Sequence, residues 1–109
     1  MKKIMVLNGQ EQTFRNFIAQ NKQYAAQYVV SANNQSVAYY AAVDRGWAEF
    51  HNELANIAQK YLTSGMNLMS AAGHTNMAWK NLDVRDFIAR ATSGIAKPNY
   101  AGMPADDTL

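Results

Sequence analysis

QYAAQYVVSANNQSVAYYAAV, residues Gln23–Val43, contains no charged side chain, and Lys22 and Asp44 stand at its two ends. A stretch of this kind can cross a membrane, pair as strands, or form a helix with an adhesive face. Which of the three it does decides the fold. A membrane span needs about 20 predominantly apolar residues. Gln23, Gln27, Ser31, Asn33, Asn34, Gln35 and Ser36 all fall inside this one, and each unpaired polar group in hydrocarbon costs several kcal/mol. The span is excluded. A strand hairpin turning at Asn33-Asn34 has suitable β-branched and aromatic arms. It lacks strict alternation of apolar and polar residues, and the flanks on both sides read as helix.

The helical reading extends well beyond the quoted stretch. From Phe14, steps of three or four land on Ile18, Asn21, Ala25, Tyr28, Ala32, Ser36, Tyr39, Val43, Trp47, Phe50, Leu54, Ile57, Tyr61, Gly65, Leu68 and Ala72. The mean step is about 3.6 residues, the α-helical period. Asn21, Ser36 and Gly65 are the exceptions to an otherwise apolar stripe. Asp44, Glu49, Asn52, Glu53, Asn56 and Lys60 mostly occupy the opposite side. An unbroken helix of this length would measure roughly 88 Å at 1.5 Å per residue. Asn33–Ser36 is poor helix material, so a kink or break is expected there or at Gly46.

Downstream, Ala71–Asn76 punctuates the pattern. Gly73 suits a helix C-terminus, and Thr75 or Asn76 can cap a following helix. A shorter second helix is expected from about Met77 to Ser93, ended by Gly94. From Lys97 the chain carries both prolines and the adjacent Asp106 and Asp107, which reads as a disordered or loosely docked tail. The expectation is therefore an all-α chain: a lead-in over 1–10, a helical domain over 11–95 and a flexible tail over 96–109. The lead-in MKKIMVLNG has an apolar core of only Ile4–Leu7, against about 7–15 residues in a signal peptide. A cytoplasmic location is expected.

Composition narrows the function. A net charge of +2 with no basic stripe argues against nucleic acid as a partner. The absence of cysteine removes disulfides and thiolate metal sites. Ala supplies much of the hydrophobic content, so a monomer has a lean core and association is expected to add stability. His51 and His74 have no helical ligand partner at a Glu-x-x-His or His-x-x-x-His spacing, and His51 with Glu49 and Glu53 reads as solvated helix surface. The glycines are isolated, and no serine sits in a Gly-x-Ser-x-Gly context. No catalytic residue, metal ligand or cofactor site is assigned. The aromatics at helical spacing read first as a packing seam, then as a surface for wet–apolar boundaries, and last as a ligand groove.

The order of features across residues 14–95 resembles the phasins, small proteins that coat polyhydroxyalkanoate granules. A Tyr/Ala/Asn-rich helical lead precedes Glu49-Phe50-His51-Asn52-Glu53-Leu54-Ala55-Asn56-Ile57-Ala58-Gln59-Lys60-Tyr61-Leu62, similar to the family's central helix. Leu82-Asp83-Val84-Arg85-Asp86-Phe87-Ile88-Ala89-Arg90-Ala91 is similar to its second-helix pattern, with Asp83 where the family usually has Gln. The resemblance implies an oligomeric, coiled-coil-like coat protein on an apolar polyester surface in the cytoplasm, without catalytic residues. Tyr28, Tyr39, Tyr40 and Val43 are then the expected polymer contacts. Trp47, Phe50, Leu54, Ile57, Tyr61 and Leu68 are the expected packing and self-association seam. The alternative is a helical protein–protein adapter that forms oligomers and binds no polymer.

Overall fold

The computed structural model describes residues 11–98, and all regular structure among them is helical. Among the described residues there are four helices: α1 (Glu11–Asn34), α2 (Ala38–Leu62), α3 (Leu68–Lys80) and α4 (Val84–Ala91). The expected lead-in and the tail beyond Pro98 lie outside the described residues.

The long stripe is not one rod. Helix ends at Asn34 and resumes at Ala38, and α2 returns antiparallel along α1. The cross-contacts show the direction, because Ser31 meets Asp44, Tyr28 meets Trp47 and Asn21 meets His51. The reversal falls on the weak helix formers, where the Gln35 N–H bonds Ala32 O in a tight turn. α2 then starts on Val37 without a side-chain cap. Folding back buries the stripe within one chain, something an extended helix cannot do. The phase survives the break because both helices keep the same face inward. Phe14, Ile18, Asn21, Ala25 and Ala32 are buried on α1.

Two other boundaries differ from expectation. The chain leaves helix after Leu62, where Thr63 and Ser64 hydroxyls donate to the Gln59 and Tyr61 carbonyls. Gly65 then turns the chain at φ +91°, a conformation that favours glycine. The expected turn at 71–76 is instead the middle of α3. Asn67 caps that helix by accepting from the Ser70 N–H at 2.8 Å. Thr75 is no cap; it is fully buried and its hydroxyl donates back to Ala71 O. A third turn lies at Asn81–Asp83, and Asp83 caps α4 through the Arg85 N–H. Gly94, at φ +79°, follows the end of α4 as expected.

α2 is the helix on which the other three pack. The core joins Phe14 and Ile18 to Phe50, Leu54, Ala55 and Ala58, and these to Ala71, Ala72, Trp79 and Phe87. Within it, the buried Trp79 indole N–H donates to Leu54 O at 3.0 Å. Gly46 does not break α2. It lets α4 approach so closely that a Cβ there would lie 2.8 Å from Ile88 Cα and 3.1 Å from Ile88 N. Gly73, by contrast, has open space around it.

These two glycines predict opposite outcomes for the same substitution. Gly46→Ala gains about 1 kcal/mol of helix propensity but forces α4 outward, at a cost of about 1–3 kcal/mol. Its net effect is destabilising, and thermal denaturation should show a midpoint several degrees lower. Gly73→Ala has no steric cost and should raise stability by about 0.5–1 kcal/mol. A Gly46→Ala variant as stable as Gly73→Ala would contradict the close α2–α4 contact.

Candidate functional site

His51 sits where α1 crosses the middle of α2, and it is half-buried rather than solvated. Four aromatic rings surround it. Tyr28 of α1 stacks on it at 5.8 Å and 10° and on Trp47 at 5.6 Å and 15°. Tyr24 lies tilted at 5.2 Å, and Phe50 meets the imidazole edge-on at 5.4 Å. The box follows from helical spacing. Trp47 and His51 stand one turn apart on α2, while Tyr24 and Tyr28 stand one turn apart on the facing α1.

The hydrogen bonds of Asn21 fix the imidazole's tautomer. Asn21 is only 7% exposed, and its Nδ2–H donates to the Phe17 carbonyl at 2.9 Å. The opposite amide orientation would set two acceptors against each other, so Oδ1 must face His51. His51 Nδ1 lies 2.9 Å from that oxygen and therefore carries the proton. Nε2 is left as a lone-pair acceptor with no partner among the described residues. Burial also pushes the imidazole pKa below its ordinary 6.5, which favours the neutral ring. A neutral, oriented histidine is the result.

This ring lines a cleft of about 990 Å³ between α1, α2 and the segment from Asn76 to Val84. Phe17, Tyr24, Trp47, Phe50, Leu54 and Trp79 supply apolar wall; Asn16, Gln20 and Asn21 supply amides. Lys80 and Asp83 are the charged lining residues. Asp83 is already engaged by the Arg85 guanidinium and N–H, which hold its carboxyl below the usual range. Among the described residues, no three His, Cys, Asp or Glu side chains group so as to hold a metal ion. No described helix is long and apolar enough to cross a membrane.

The residues expected to meet a polymer are buried or partly buried in the fold. Val43 is 7% exposed and Tyr28 is held in the ring stack. Tyr39 and Tyr40, both partly buried, meet edge-to-face at 5.7 Å. The expected seam lies inside the chain. Phe50 and Leu54 are buried in the core, and Trp47, Ile57, Tyr61 and Leu68 pack against it. Trp47, Phe50 and Leu54 also line the cleft. Sequence reasoning missed His51, Asn21 and the Trp79 wall. The signal available was Asn21, a polar residue on an apolar stripe.

No family model, curated protein or solved structure matches the chain.

The lowered His51 pKa predicts a pH dependence of stability. The unfolded chain binds a proton at His51 more readily than the folded one, so protonation favours unfolding. His51 should have no effect on stability well above pH 6.5. Below 6.5 stability should fall, levelling off once pH is under the folded pKa. His51→Gln keeps a donor toward Asn21 without a titrating ring. Thermal melts across pH 8 to 5 should show this part of the slope in the wild type and its loss in His51→Gln; equal slopes would refute the buried neutral ring.

Proposed function

We propose that this chain is a non-catalytic helical recognition module that binds a partner on its folded surface. The observation that carries this reading is the cleft beside His51. It is open and rich in aromatic rings, whereas the residues suited to spreading on a polymer are occupied in the fold. His51 is bonded to an amide rather than to a hydroxyl or carboxylate, so the site holds an oriented acceptor and no activated nucleophile. Binding is the chemistry that such a site supports.

A second reading, the phasin-like granule coat, is favoured by a different observation. Toward the reversal, the α1–α2 contact is lined by small residues: Ala25 and Ala32 on α1, Ala41, Ala42 and Val43 on α2. Separating the helices there gives up little packing per residue. It would free Tyr28, Tyr39, Tyr40 and Val43 for an apolar polyester surface, and the Trp47–Leu68 seam for self-association into a coiled-coil-like oligomer. On that reading the protein is cytoplasmic and granule-associated.

Co-sedimentation with polyhydroxybutyrate particles, with silica as control, separates the two readings. The recognition module stays in the supernatant and keeps slow amide exchange in α1 and α2. A coat protein sediments with the polyester, remains helical, and loses exchange protection where the hairpin opens. Selective sedimentation with lost protection would overturn the recognition reading.

A further inference from the structure

We infer that the cleft beside His51 is a binding site for a small, uncharged, planar aromatic molecule that carries one hydrogen-bond donor, a hydroxyl or an N–H. The inference rests on the recognition reading and names its ligand class. Three features of the site select that class.

Shape and lining come first. At about 990 Å³ the cleft lies at the upper end of the range for small-molecule sites. Its lining includes the rings of Phe17, Tyr24 and Trp47, backed by the buried Phe50 and Trp79, and aromatic walls reward a flat π-system. Polarity comes second. The indole N–H of Trp79 is already bonded to Leu54 O, and both ends of the Asn21 amide are committed. Asn16 and Gln20 are exposed and their amides can donate or accept, so they select neither; His51 Nε2 is half-buried and can only accept. A ligand donor completes it; a ligand acceptor would leave two lone pairs opposed. Charge is the third feature. Lys80 is exposed and Asp83 is engaged by Arg85, so neither lining charge is a buried partner that would offset the desolvation of an ion. The group that meets the imidazole is neutral.

Asn21 is then a positioning residue. It holds the imidazole in the tautomer that offers Nε2, and its own bond to the Phe17 carbonyl keeps the amide from rotating.

The test is titration of the full chain with 2-naphthol and with 2-methoxynaphthalene, the same skeleton without a donor. Tryptophan fluorescence follows binding, because Trp47 and Trp79 both line the cleft. One saturable site is expected, with 2-naphthol bound about tenfold more tightly, the worth of one hydrogen bond. The preference should vanish in His51→Phe. Should that variant fail to fold, nitrogen NMR of the wild-type imidazole gives the same answer. The Nε2 resonance should move on adding 2-naphthol and stay in place with 2-methoxynaphthalene. Equal affinities, an unmoved Nε2 signal or no saturable binding would each overturn the inference. None of these results depends on polyester, so they leave the sedimentation test of the recognition reading separate.

Discussion

The structure depends on α2 being buried on more than one side. A helix with a single apolar stripe can satisfy one neighbour, but α2 packs against three. Phe50 and Leu54 belong to the main stripe, while Ala41, Ala42, Ala48 and Ala55 widen the buried surface around it. Small residues let neighbouring backbones approach, as Gly46 does against Ile88. Aromatic residues add larger contacts to the same helix pairs. Phe50 meets Phe87 at 5.6 Å, and Trp79 reaches the α2 backbone with its indole N–H. Lean composition and tight packing are thus one feature.

An alanine-rich interface has little shape to fix its register, and polar contacts supply it. At the turn end, Ser31 donates to Asp44 at 2.6 Å and Gln35 donates to the same oxygen at 3.2 Å. Mid-hairpin, Asn21 bonds His51 across the two helices. A slip of one helical turn would leave these groups without partners, and the buried Asn21 would bear the largest cost. The contacts that hold α1 on α2 also set the orientation of the imidazole. Fold specificity and the candidate site share the same residues.

Much of this was legible in the sequence. The 3.6-residue stripe located the buried face of α1 at Phe14, Ile18, Ala25 and Ala32, and Phe50 and Leu54 fell where expected in the core. What periodicity cannot report is direction. A stripe that stays in phase through Asn33–Ser36 is compatible with a rod or with a hairpin, and burial within one chain selects the hairpin. Once the chain reverses, Asn21 and Tyr28 face His51 and Trp47, so the aromatic box is a product of tertiary structure. The 71–76 turn was misplaced for a local reason. Gly73 and Thr75 resemble punctuation, yet Thr75 bonds to Ala71 O inside a continuous helix, and Asn67 and Asp83 are the caps.

The reversal at Gln35–Val37 is the claim on which the core, the register and the cleft all stand. Its most direct test is a distance between spin labels at exposed positions 22 and 52, measured on labelled chains diluted in excess unlabelled protein. Adjacent antiparallel helices lie about 8–10 Å apart between axes, so the hairpin predicts a label separation of about 10–25 Å. A continuous helix would put the same positions about 45 Å apart at 1.5 Å per residue. A dominant distance near the longer value would contradict the hairpin, and with it the site built between its arms.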